Sequence, residues 1–177
     1  MPDKDTQKNP WLERVPNLEG GKRFPSIKPD DDPKLFDELL AGGKEAVVGI
    51  IDTLKEVDNG KDWKARFLLS ALATQTGAPD KKEARSKVEA IFARELQADR
   101  PAGVKTFLAM QLGWFAGPTS VAALASQLAA EDVALVDAAA AALTAIGKPA
   151  APALSKAKGM AGGHGKAAIE HALKQIG

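Results

Sequence analysis

Two stretches near the C-terminus echo each other. One ends Ala-Leu143-Thr-Ala-Ile146-Gly147 and the other Ala-Leu173-Lys-Gln-Ile176-Gly177, with their leucines 30 residues apart. The beat continues backwards along the chain. Gly77, Gly117, Gly147 and Gly177 are spaced by 40, 30 and 30 residues, and Leu72, Leu112, Leu143 and Leu173 by 40, 31 and 30. Gly42 or Gly43 adds an earlier mark, and Pro79, Pro118 and Pro149 follow the next three glycines closely. Glycine tolerates the backbone that ends a helix, and proline suits a first helical position, where its missing N–H is not needed. The repeating unit is thus a helix, a glycine turn, a proline-initiated helix and a short acidic turn. Such a unit cannot bury both its faces alone, so it predicts stacked helix pairs, an α-solenoid.

Punctuation predicts nine helices. The first two cover 33–41 and 44–57; a third, capped by Asp62, runs to Thr76; a fourth spans 80–98. The fifth and sixth cover 101–117 and 118–130; Asp132 caps a seventh ending at Gly147; a short eighth starts at Pro149; the ninth follows Gly162-Gly163. No stretch alternates as a strand does, and the apolar residues are mainly Ala and Leu, strong helix formers. Residues 1–32 stand apart. Five of the eleven prolines fall there, with Gly20-Gly21, yet Trp11, Leu12, Val15, Leu18, Phe24 and Ile27 recur through it. This reads either as a linker or as an extended arm whose apolar residues, Trp11 and Phe24 among them, dock on the helical body or on a partner. Asp32 would then cap the first helix, with Pro33 in its first turn.

The segments Ala140-Ala-Ala142-Leu143-Thr-Ala-Ile146-Gly147-Lys-Pro149-Ala-Ala-Pro152-Ala-Leu154 and Ala109-Met-Gln-Leu112-Gly113-Trp-Phe-Ala-Gly117 resemble HEAT-like repeats. They are similar in particular to the short bacterial kind known from phycobilisome lyases. The likeness covers 62–177 well and 33–61 loosely, and leaves the arm outside. It implies a right-handed α-solenoid of about four helix pairs plus a terminal helix over 33–177, acting as a scaffold or recognition surface. The motif residues themselves are structural.

Charge narrows the partners. With 24 basic and 23 acidic residues the net charge is +1, without the basic excess by which nucleic-acid binders neutralise phosphate. No run is long and apolar enough to span a bilayer, so membrane insertion is not expected. The first ten residues hold no apolar signal-peptide core, as in a cytoplasmic protein or in an exported one after cleavage. Cysteine is absent, which removes disulfides and thiolate metal sites.

Candidate chemistry is sparse. His164 and His171 are seven residues apart, two helical turns or about 10 Å, too far to share one metal on that helix. No Gly-x-Ser-x-Gly or phosphate-cradling loop occurs, and the serines sit in ordinary helical contexts. Gly159 to Lys166 is glycine-rich ahead of a helix, which reads as a turn rather than an anion site. Neither a cofactor nor a metal is expected.

Two features break the regular pattern. Helix 80–98 carries Lys82, Arg85 and Arg94 among acidic residues including Glu83, Glu89 and Glu95, either as a solvated face or as a concave contact surface. On helix 104–116, Val104, Leu108, Leu112 and Phe115 form one stripe, and Phe107, Met110 and Trp114 a second on another side. That second stripe either packs on flanking repeats or faces outward under the arm or a partner. Glu95 falls within an apolar stripe and Arg66 on an apolar helix, where each needs an ionic partner, the other or a neighbouring turn. The function these features favour is a non-enzymatic interaction scaffold or adaptor in a larger assembly, binding another protein or a second copy of itself. The alternatives are a chromophore-lyase-like enzyme, which only the family resemblance implies, and, less well matched by charge, a DNA-binding HEAT-like protein.

Overall fold

The computed structural model describes residues 9–17, 34–57, 60–115 and 117–177. These residues are helical with no strand, as the Ala/Leu composition predicts. The helices are α1 (Pro10–Glu13), α2 (Leu35–Ala41), α3 (Gly43–Ile51), α4 (Trp63–Thr76), α5 (Lys82–Gln97), α6 (Ala102–Phe115), α7 (Val121–Ser126), α8 (Val133–Ile146), α9 (Ala151–Ala157) and α10 (Gly163–Ile176). Alternate helices touch in two series. One runs α4 to α6 to α8 to α10, and the other α3 to α5 to α7 to α9. Sequence neighbours tie the series together: α3 to α4, α4 to α5, α5 to α6, α7 to α8 and α9 to α10.

The apolar stripes account for this packing. Leu68, Leu69 and Leu72 of α4, Val88, Phe92 and Leu96 of α5, and Leu108 and Leu112 of α6 are wholly buried. So are Leu124, Leu143, Leu154 and Ile169 of the last four helices. Each such side chain contributes about 1.5–3 kcal/mol relative to exposure. Phe92 meets Phe115 edge to face at 5.8 Å, joining α5 to α6. Gly113 of α6 faces the Ala142 backbone of α8, where an added Cβ would stand in ordinary contact, 3.4 Å from the Ala142 Cα.

Helix ends follow the predicted punctuation in part. Asp132 caps α8 by accepting from the Leu135 N–H at 2.8 Å. Gly147 ends that helix at φ 79°, and its N–H returns to the Leu143 carbonyl at 3.1 Å. Asp62 precedes α4 without capping it: its Oδ2 accepts from the Lys55 N–H at 2.9 Å and from Arg66 Nε at 3.0 Å. The helix expected over 44–57 stops at Ile51, where the Thr53 hydroxyl donates to the Ile50 carbonyl at 2.7 Å and the chain turns. That turn carries Glu56 to the start of α6, where it accepts from the Gly103 N–H at 3.0 Å. The helix expected over 118–130 is three pieces, α7 between 3-10 turns at Pro118–Ser120 and Gln127–Ala129. The Ser126 hydroxyl and Gln127 amide both donate to the Ala123 carbonyl, competing with the regular α ladder there.

Of the segment 1–32, residues 9–17 are described and include the single turn α1, which touches α3 and α4. Val15 is buried; its carbonyl accepts from Lys64 Nζ at 2.8 Å, and Arg14 pairs with Glu38 at 2.7 Å. The capping expected of Asp32 and Pro33 lies outside the described residues.

Glu89, grouped by sequence with a mixed-charge face, is buried. Its Oε1 accepts from the Gly117 N–H at 2.9 Å, the Ser120 N–H at 3.0 Å and the Ser120 hydroxyl at 2.9 Å. One carboxylate of α5 thus caps the turn that begins α7. Glu89→Ala leaves these donors without their acceptor, and urea unfolding followed by circular dichroism is expected to show a loss of about 2–3 kcal/mol. Glu83→Ala, which breaks only the exposed pair with Lys87, should leave the midpoint in place.

Candidate interaction surface

Helix α6 is packed against α4, α5 and α8. Val104, Leu108, Leu112 and Phe115 are buried, and so are Ala109 and Gln111. The second predicted stripe divides. Phe107 is buried, with the Arg66 guanidinium 5.1 Å from its ring centre. Met110 and Trp114 are 54% and 82% exposed, on a side of α6 that no described helix covers. Leaving a tryptophan this exposed forgoes one of the largest burial gains a side chain offers.

Beside Met110 lies a groove of about 610 Å³. Phe107 and Met110 supply its apolar surface together with Val57 and Ala134, and Arg66, Glu56 and Asp132 are its charged lining. Val57 is 66% exposed, and Val133, beside Ala134 in sequence, is 53% exposed. Arg66 is already engaged, its Nε on Asp62 at 3.0 Å and its Nη2 on the Lys55 carbonyl at 3.0 Å. Burial pushes the Asp62 carboxyl up. The Arg66 hydrogen bond, the Lys55 N–H and the Arg66 charge outweigh that and hold it below the ordinary range. The acid end of the groove is built from Glu56 and Asp132, which cap α6 and α8.

A second groove, about 360 Å³, lies between α8 and α10. Its floor is alanine, including Ala140, Ala141, Ala168 and Ala172. His164 and Asp137 pair across it at 2.7 Å, and His171 meets Gln175 at 2.9 Å. The histidines therefore have separate partners. Among the described residues no three His, Cys, Asp or Glu side chains cluster as a metal would need.

The basic residues of α5 sit elsewhere, and neither groove is lined by an α5 side chain. Lys82 is exposed at the first position of α5. Arg85 Nε donates to the Phe115 carbonyl at 2.5 Å, tying α5 to the end of α6. Arg94 pairs with Glu95, and Arg100 holds the other oxygen of Glu95 at 2.6 Å while reaching Asp52 at 2.5 Å. Glu95 and Arg66 thus do not pair with each other. Each has a nearby partner, Arg94 with Arg100 for one and Asp62 for the other. Trp11 is half-buried, and a Cβ on Gly42 would come within 3.3 Å of its ring. Phe24 lies outside the described residues.

Several groove residues escaped sequence reasoning. Glu56 and Val57 were expected inside a helix, and Asp132 was read only as a cap. The signal that could have found Asp132 was its place at the start of a helix beside α6. Compared with known proteins, the chain matches no family model and no curated protein. Among the described residues no helix is long and apolar enough to cross a membrane.

Burial pushes the Glu95 carboxyl up, but hydrogen bonds and charge from Arg94 and Arg100 prevail and depress it below its ordinary value. A depressed carboxyl contributes stability that is complete above the unfolded-state value of about 4.3 and is lost as pH falls through the lower folded value. Glu95→Gln is therefore expected to cost about 2 kcal/mol at neutral pH. The gap from wild type should narrow as urea midpoints are followed below about pH 4.

Proposed function

We propose that the chain is a non-enzymatic protein-interaction module, built as a HEAT-like right-handed α-solenoid, and that it meets its partner through the exposed side of α6 and its flanking grooves. The observation that carries the reading is the exposure of Met110 and Trp114 on a helix otherwise packed on three neighbours. Large aromatic and methionine side chains are enriched where proteins bind one another, and an exposed tryptophan beside a groove fits an anchor for a partner. Two further observations support the solenoid. The contact series α4–α6–α8–α10 and α3–α5–α7–α9 follow the repeat order of the sequence. Helix α10 buries Ile169 and Ala172 and exposes Lys166, Glu170 and Lys174, one face packed on the stack and one polar.

The grooves lie along one of the two series. Lining residues come from α4, α6 and α8 in the first and from α8 and α10 in the second. A partner laid across α8 would touch both.

Affinity purification from the native source tests the reading. Tagged wild-type chain is expected to retain a specific protein that Trp114→Ala and Met110→Ser each lose, with about a tenfold or greater drop in recovery. Both variants should keep the wild-type melting temperature, because neither side chain is in the core. Equal recovery by wild type and by both variants would contradict the assignment of this face.

A further inference from the structure

The groove beside Met110 has a direction built into it. Glu56 and Asp132 stand at the N-terminal ends of α6 and α8, whereas Phe107, Met110 and then Trp114 follow along α6. Both acids are exposed. Each uses one carboxylate oxygen on a backbone N–H: Glu56 Oε1 on Gly103 and Asp132 Oδ1 on Leu135. Their second oxygens make no hydrogen bond to a described residue. The third charged residue of the lining, Arg66, is committed to Asp62 and the Lys55 carbonyl. The partial positive charge of the two helix N-termini offsets about half a unit of each acid, so the end stays net negative. The groove therefore offers an apolar floor that runs into an acidic end.

We propose that this groove takes a peptide segment of a partner protein carrying a bulky apolar side chain and, about one helical turn away, a Lys or Arg. The apolar side chain sits on Phe107 and Met110 between Val57 and Ala134. The cation binds the free oxygens of Glu56 and Asp132 by charge-assisted hydrogen bonds. An amphipathic helix laid in a groove satisfies both demands, since residues three and four apart share a face. This rests on the interaction-module reading and adds the chemistry and orientation of the partner.

The test uses the whole chain and a short fluorescein-labelled peptide with Leu at heptad core spacing and Lys at the remaining positions. Two matched peptides replace every Lys by Glu or every Leu by Ser. Fluorescence anisotropy is expected to give saturable binding of the Lys/Leu peptide and none of the other two. The double variant Glu56→Gln with Asp132→Asn keeps the acceptors that cap α6 and α8 and removes only charge. It should weaken binding about tenfold, and Met110→Asp should abolish it. The control Asp37→Asn with Glu45→Gln, which neutralises exposed acids on α2 and α3, should bind as wild type does.

Three results would overturn the proposal. These are no binding of the Lys/Leu peptide, equal binding of the Lys/Ser peptide, or equal weakening by the control pair, the last two marking unspecific attraction of charge. Such a result together with partner loss in Trp114→Ala purification would leave the interaction face standing and remove only this groove as its specificity element. Failure of both would remove the face as well.

Discussion

Burial of α6 is the constraint on which the rest depends. It touches α4, α5 and α8 through buried side chains that include Val104, Leu108, Leu112 and Phe115. Gly113 faces the Ala142 backbone, Phe115 meets Phe92, and a side chain at Gly103 would collide with the Glu56 carbonyl. Helices of four to sixteen residues are marginal alone in water, so their persistence here comes from packing. A helix held this way on three sides keeps its fourth side rigid. The backbone beneath Met110 and Trp114 is therefore already ordered, while their exposed side chains keep their rotamer freedom.

Carboxylates stitch the helices together at their ends. Glu56 reaches the start of α6, Glu89 the start of the α7 segment, and Glu95 the arginine that also holds Asp52. In each case a side chain from one helix or turn satisfies groups on another. These bonds set how consecutive helices are placed, while the leucine stripes supply most of the burial energy. At Glu56 and Asp132 the same capping chemistry leaves charge on the rim of a groove. The carboxylates that hold these helix starts thus also line the groove.

The helices were legible because glycine and proline mark their ends and because Val88, Phe92 and Leu96, or Leu108 and Leu112, recur at helical spacing. The two-sided character of α6 was legible too, though not that Phe107 would be covered while Met110 and Trp114 stay open. Periodicity reports the angle of a side chain about its own axis, and coverage depends on what lies across from it. Glu89 was misread for the same reason. Its partners Gly117 and Ser120 lie 28 and 31 residues onward, and no local pattern couples them. The turn after Ile51 was hidden because 44–57 is apolar enough to continue as a helix. Its true end is set by Thr53, Asp62 and Gly103, groups that act across the chain.

The most direct test of the account is carbene footprinting of the chain, isolated and then in an extract of its native source. With α6 fixed on three sides and open on the fourth, Met110 and Trp114 should label strongly in the isolated chain and weakly in the extract. Met160, 68% exposed and in neither groove, should label alike in both. Equal labelling of Met110 and Trp114 in the two states, or their protection in the isolated monomer, would contradict the claim that this face is kept for a partner.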